Sequence, residues 1–261
     1  MIKTTPIFIN KNSDKGVLMI HGFTSTPDEF KELAVYLADK GFTVSAPFVA
    51  GHGTSPEDLI KTNPEKWVDS VKESYLQLKE HTKKVFIIGN SFGSNLALDL
   101  VKDIEDKPSA IITLGAPIYL RWHKVIVCRL YSYGFLKKYY SKPPRLYRTD
   151  FTDMIDEVTY PKMPTKSVRQ FLSFIKNNTK RYLNEVKIPA LVVHSDTDPV
   201  VNPKSATYIY EHLGSEFKRI YWFRSKYHTA TIDENRSELF NKILDFINEV
   251  IDNNKLKNRL I

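Results

Sequence analysis

Short apolar runs alternate along this chain with segments whose apolar residues recur every three or four positions. The runs at 6–9, 17–20, 43–46, 85–88, 110–114, 190–193 and 219–223 are rich in β-branched and aromatic residues and short enough for strands. Between them, 28–40 places Phe30, Leu33, Ala34 and Leu37 on one helical face, and 64–80 does the same with Trp67, Val71, Tyr75 and Leu78. Residues 92–104, 204–213 and 235–251 supply three more helices. Thr26-Pro27-Asp28-Glu29 has the form of a capping box, with threonine as N-cap, proline at the first helical position and glutamate reaching back, and Gly41 suits a left-handed C-cap. Strand alternating with helix predicts an α/β protein with a mostly parallel central sheet flanked by helices on both faces.

The alternation stops between Pro117 and Glu185. There the chain turns aromatic, with Trp122, Tyr131, Tyr133, Phe135, Tyr139, Tyr140 and Tyr147, and is punctuated by Pro143-Pro144, Pro161 and Pro164. Residues 122–138 and 165–182 look helical. The segment leaves the carboxyl end of one strand and returns before the next. It therefore emerges at the edge where open α/β sheets bind ligands, which predicts a cap inserted at 117–185 between core segments 1–116 and 186–261. The net charge of +8 is concentrated here: 14 Lys/Arg and 5 Asp/Glu fall in the insertion, against 24 and 25 elsewhere. A solvated basic face accounts for that, and so does peripheral contact with anionic lipid or substrate. No nucleic-acid motif accompanies the charge. The tail after residue 251 is polar and expected to fray.

A length of 261 residues suffices for one α/β domain with an insertion. The lone cysteine, Cys128, excludes an internal disulfide and, beside Val125, Ile126 and Val127, is expected to be buried. No apolar signal segment opens the chain, and no run approaches the roughly eighteen apolar residues of a membrane span. A cytoplasmic protein without a transmembrane segment is the expectation.

The candidate chemistry centres on Gly89-Asn90-Ser91-Phe92-Gly93, directly behind Val85-Phe86-Ile87-Ile88 and ahead of a helix. A serine between glycines at such a corner forms a nucleophile elbow. The turn is strained, the backbones pack closely, and the hydroxyl is lifted off the end of the sheet. A serine hydroxyl needs a base, and the base an orienting acid, following the serine in the order acid, then histidine. Asp198 lies in the loop after 190–193, ahead of Pro199-Val200, and is favoured as the acid over Asp196, which suits a turn. His228 alone of seven histidines follows the last strand and precedes the final helix, so it is the base. His81 and His212 fall near helix ends, His123 in the cap, His194 at the end of a strand next to the core, and His52 in a turn that favours a structural hydrogen bond. An oxyanion would need two backbone donors. Phe92 N–H at the helix start is one, and Phe23 N–H in His21-Gly22-Phe23-Thr24, after 17–20, is the other.

Together these residues resemble the α/β-hydrolase superfamily, and within it the small bacterial carboxylesterase and monoacylglycerol lipase family. The likeness extends over nearly the whole chain. It also takes in Gly51-His52-Gly53-Thr54-Ser55-Pro56-Glu57-Asp58-Leu59, Trp67, Gly115-Ala116-Pro117 and Asp198-x-x-Val201-Asn202-Pro203-x-Ser205-Ala206. The resemblance implies hydrolysis of short- to medium-chain carboxylic esters or monoacylglycerols by a Ser91–Asp198–His228 triad. It also implies an oxyanion hole from Phe23 and Phe92, a small cap over an acyl pocket, and no metal or organic cofactor. Ser94 departs from the usual glycine or alanine after Gly93, and Asn90 and Phe92 flank the serine where aliphatic residues are common. These departures bear on substrate. An acyl thioesterase or acyltransferase with the same triad, a serine peptidase, and a non-catalytic binding protein of this fold remain as rivals.

Overall fold

The computed structural model describes residues 4–132, 137–141 and 162–259. Its main sheet has seven strands in the order β1-β3-β2-β4-β5-β8-β9: β1 Ile7–Ile9, β3 Thr43–Ala46, β2 Lys15–Ile20, β4 Lys84–Asn90, β5 Ala110–Leu114, β8 Ala190–His194 and β9 Lys218–Trp222. Only β1 runs antiparallel, to β3. The other neighbours are parallel, with Val17 opposite Phe86, Ile88 opposite Ile112, and Val192 opposite Ile220. The sheet is thus the mostly parallel one expected.

The central strand β4 explains why its run is continuous rather than alternating. Phe86 and Ile88 face a core layer built with α1 (Lys31–Asp39) and the last helix, α8 (Arg236–Arg259). Val85 and Ile87 face the other layer, which holds Val71 and Tyr75 of α3 (Pro64–His81), Leu96 and Leu100 of α4 (Phe92–Asp103), and Ile209 of α7 (Lys204–His212). A strand covered on both faces has no position that benefits from polarity.

Several local expectations differ from the structure. Pro27–Phe30 is a 3-10 turn, not the first turn of α1. Thr26 Oγ1 does accept the Asp28 N–H (3.3 Å), but Glu29 does not close a capping box. Its side chain is buried and turned toward the sheet edge. Gly41 has the left-handed φ of +83° that its C-cap position requires. A helix absent from the periodicity, α2 (Pro56–Ile60), starts on Ser55, whose Oγ accepts the Asp58 N–H at 3.1 Å. The last helix continues past residue 251 to Arg259, so the expected frayed tail is helical over that stretch.

Between β5 and β8 the chain forms α5 (His123–Ser132), a two-stranded pair of β6 (Tyr139–Ser141) and β7 (Lys162–Pro164), and α6 (Thr165–Phe174). A π-helical turn, Ile175–Thr179, continues α6. The single helix expected at 122–138 ends earlier, and Lys138 lies in the bend before β6. Tyr133, Phe135, Lys142, Pro143, Pro144, Tyr147 and Pro161 lie outside the described residues. Cys128 is exposed on α5 rather than buried, because the Val125 side of this helix also faces outward. Among the described residues no helix is long and apolar enough to cross a membrane.

Gly93 is fixed by close approach: a Cβ there would lie 1.9 Å from the Ile20 carbonyl oxygen and 2.6 Å from that of His21. Gly41 has open space around it and only its φ to lose. Gly93→Ala should therefore cost well over ~3 kcal/mol, because backbone must move. Gly41→Ala should cost about 1–2 kcal/mol. Urea unfolding of the two variants checks this, and equal midpoints would refute it.

Candidate active site

Four loops that follow parallel strands converge on one edge of the sheet. Ser91 sits at the corner between β4 and α4 with φ 50° and ψ −121°, a strained backbone for a non-glycine residue. The strain is held from several sides. Ser91 N–H donates to the Leu114 carbonyl at 2.7 Å. Ser94 Oγ donates to the Gly89 carbonyl (2.6 Å) and accepts the Leu114 N–H (3.2 Å). Gly89 must lack a Cβ because one would lie 2.4 Å from Ser94 Cα. Ser94, a departure from the small residue common at this position, thus ties the elbow to β5.

His228 comes from the loop after β9. Its Nε2 lies 2.7 Å from Ser91 Oγ, and its Nδ1 lies 2.8 Å from Asp198 Oδ2. Asp198 is buried, and its other oxygen accepts the Val200 and Val201 N–H groups at 2.7 and 2.8 Å. Burial pushes this carboxyl up. The charge and hydrogen bond of His228, together with the two backbone N–H groups, outweigh it and leave the pKa below the usual value. The group is therefore an anion at neutral pH. Asp196, the competing acid, is exposed, whereas Asp198 is the aspartate that meets His228 Nδ1. Sequence order and structure bring together the same three residues, Ser91, His228 and Asp198.

The loop after β2 lies against the elbow, so close that a Cβ on Gly22 would be 3.3 Å from Ser91 Cβ. His21 fixes its conformation. Val49 N–H donates to His21 Nε2 (3.0 Å), so Nδ1 carries the proton and donates to the Gly22 carbonyl (3.0 Å), which also accepts the Ser25 N–H (3.1 Å). Burial, helped by His52, lowers the His21 pKa to about 3 and keeps it in this neutral tautomer. In a trans peptide the C=O and the following N–H point opposite ways. Holding the Gly22 carbonyl therefore aims the Phe23 N–H away from that anchor. His52 makes the structural hydrogen bond expected of it, Nδ1 to the Ala50 carbonyl at 3.1 Å, and burial takes its pKa down to about 4.

The walls are aromatic. Phe23 stacks on Phe171 of α6 at 5.0 Å between centroids. Phe92 packs edge-on against Phe23, Phe171, Phe174 and Trp67. The residues carrying the two expected oxyanion donors therefore also form part of an apolar surface with α6.

Three features escaped the sequence. Arg121, one of the basic residues between β5 and β8, is not simply a surface charge. Its Nε donates to the Asp198 carbonyl and its Nη2 to the Asp196 carbonyl (3.2 Å), so it clamps the loop that carries both aspartates. The bridge of Leu120 with Val201 and the Asn202 N–H to the Tyr119 carbonyl (2.8 Å) extend that attachment. His194 is buried as expected, and its Nε2 also lies 3.9 Å from Asp198 Oδ2. Glu29 contacts both the Gly22 loop and Asn90. A polar Asn90 at the buried end of β4 was the one sequence signal that a partner must be waiting.

This sheet order, with a serine elbow after the central strand and a histidine and aspartate from later loops, defines an α/β-hydrolase. A family model described as serine aminopeptidase, S33 (Hydrolase_4) matches residues 11–235, and the chain belongs to that family. It is 35% identical over 240 residues to a thermostable monoacylglycerol lipase of Bacillus sp. strain H-257, covering 92% of each chain. It is 28% identical over 251 residues to a carboxylesterase of Bacillus subtilis strain 168, covering 95% of this chain and 98% of that one. Among solved structures, one of the metagenome-derived lipolytic enzymes LipS and LipT superposes with a TM-score of 0.84 at 25% identity, over 94% of this chain and 97% of that one. A soluble variant of the Saccharomyces cerevisiae monoglyceride lipase shares the fold, with a TM-score of 0.80 at 14% identity over 94% and 91%.

The different settings of the two aspartates lead to a direct test. Asp198→Asn keeps the shape but presents an amide to His228 Nδ1, and should lower kcat for p-nitrophenyl butyrate by about 10⁴-fold. Asp196→Asn should stay within about threefold, since its side chain is solvated. A reversed order would show that Asp196 is the orienting acid.

Proposed function

We propose that the chain hydrolyses carboxylic esters of short to medium acyl length, monoacylglycerols among them, through an acyl-enzyme on Ser91. The observation that carries this reading is His228 held between Ser91 and Asp198 by two short contacts, 2.7 and 2.8 Å. With Nδ1–H committed to Asp198, Nε2 is free to take the Ser91 proton as Oγ attacks the acyl carbon. The oxyanion that forms is received by the Phe23 and Phe92 N–H groups, each worth about 2.7–4 kcal/mol by the cost of deleting such donors elsewhere. The imidazolium returns its proton to the departing alkoxide. Water, deprotonated by the same Nε2, then attacks the acyl-enzyme, and the proton passes back to Ser91 Oγ as the acid leaves.

The aromatic surface of Phe23, Phe92, Phe171 and Phe174 suits an acyl chain, and segment 117–185 acts as the cap that completes it. The names of the lipase and carboxylesterase relatives support an ester substrate. The description of the matched family names an aminopeptidase instead. Such a substrate presents a free ammonium group, and an insertion with 14 basic and 5 acidic residues opposes one. The same charge suits approach to anionic lipid, and a single cysteine suits the cytoplasm.

The central test is Ser91→Ala, which should remove turnover of p-nitrophenyl esters and labelling by a fluorophosphonate while leaving the unfolding midpoint close to that of wild type. Turnover persisting in the purified variant would end the proposal, and faster turnover of acyl-CoA thioesters by the wild type would move it to a thioesterase. Replacing Lys137, Lys138 and Lys142 by Gln should leave neutral soluble esters unaffected. It should weaken sedimentation with anionic phosphatidylglycerol vesicles, most clearly at low ionic strength where screening is weak. Unchanged sedimentation at low salt would limit these lysines to solvation.

A further inference from the structure

We infer that Glu29 is a positioning residue of this active site: its carboxyl ties the loop bearing the Phe23 donor to the elbow bearing Ser91. This rests on the ester-hydrolase reading above.

Glu29 is 3% exposed, on the 3-10 turn Pro27–Phe30. Its Oε1 accepts two N–H groups at once, from the Gly22 backbone (3.0 Å) and from Asn90 Nδ2 (3.1 Å). Its Oε2 accepts the Ser25 hydroxyl at 2.5 Å. Its backbone carbonyl accepts Thr231 Oγ1–H at 2.6 Å, three residues beyond His228. One residue therefore joins the loop after β2, the end of β4 immediately before Ser91, and the loop that carries His228. Nothing in the acyl-transfer chemistry uses it, yet a carboxyl is an expensive group to bury without such a set of donors.

The consequence for the oxyanion hole is geometric. The peptide group that carries the Phe23 N–H begins at Gly22. Its carbonyl is held by His21 and Ser25, and the preceding N–H is held by Glu29. With both neighbours of the Gly22 Cα fixed, the loop has no free rotation with which to turn the Phe23 N–H away. Asn90, on the other arm of Oε1, registers this loop against the residue next to the nucleophile. The placement of one donor relative to the attacking oxygen thus depends in part on this carboxylate oxygen, which bonds to both sides.

The tie does not depend on the charge. Burial pushes the Glu29 carboxyl up to about 7, against the pull of the Ser25, Asn90 and Gly22 hydrogen bonds and the charge of His228. When a proton is taken, Oε2–H can donate to Ser25 Oγ, which is able to reverse its role. Oε1 keeps both N–H groups in either state. Glutamine reproduces the protonated arrangement, with its amide oxygen in place of Oε1 and its NH₂ toward Ser25.

The experiment compares Glu29→Gln, Glu29→Ala and Glu29→Met with p-nitrophenyl butyrate as substrate, beside thermal unfolding of each. Glu29→Gln should keep kcat within about threefold of wild type. Glu29→Ala should lower kcat by about 10²-fold, the loss that follows removal of an oxyanion donor, with KM changed less than about threefold. Glu29→Met retains volume without the acceptor and should match Ala, so it decides the matter if Ala fails to fold. Folded Ala or Met variants with kcat near wild type would overturn the role, as would a Gln variant as slow as Ala. If neither Ala nor Met folds, the tie is a stability element and the positioning role is withdrawn. A wild type with neither turnover nor fluorophosphonate labelling would instead count against the ester-hydrolase reading.

Discussion

The approach of Gly93 to the Ile20 carbonyl is the constraint on which the site depends. It allows the first turn of α4 to rest directly on the end of β2, and no side chain could be interposed. The loop that leaves β2 at His21 is thereby brought beside the turn that holds Ser91, and both N–H groups proposed as oxyanion donors come from backbone on the two sides of that contact. The strained Ser91 conformation persists because the hydrogen bonds of Ser91, Ser94 and Leu114 lock the same corner to β5. Strain, close packing and proposed chemistry thus share a few residues of chain.

Around that corner, ionisable side chains act as fixed hydrogen-bonding parts. His21 and His52, with pKa values brought down to about 3 and about 4, remain neutral through the physiological range and orient loop backbone. Asp198 remains an anion because its hydrogen bonds and the imidazole outweigh burial. Preorganisation of this kind leaves little to rearrange when charge develops at the substrate.

The frame of the protein was legible because strands buried on both faces advertise themselves. Val85-Phe86-Ile87-Ile88 permits little else, and the loops after successive parallel strands must open on one edge. Ser91, Asp198 and His228 followed from that placement. Glu29 was hidden by a local pattern that fits a different role: Thr26-x-x-Glu29 has the form of a capping box, and only the fold reveals Asn90, 61 positions away, as its partner. Arg121 was hidden in the same way within a charge count, since its contacts with the Asp198 loop span 77 positions. Cys128 was misjudged because apolar neighbours in sequence do not fix which face of a helix is covered. Long-range polar contacts leave no periodicity for a sequence to display.

Such contacts also join the segment between β5 and β8 to the proposed site. Phe23 and Phe92 present backbone to the proposed oxyanion and side chains to Phe171 and Phe174, while Arg121 grips the Asp198 loop from the entry to the same segment. A change in this segment therefore has two physical routes inward, one through ring packing on Phe23 and Phe92 and one through the carbonyls of Asp196 and Asp198. On the proposed reading, substrate selection and catalytic geometry would be coupled, because the rings of Phe171 and Phe174 pack on Phe23 and Phe92, the residues whose backbone is proposed to hold the oxyanion.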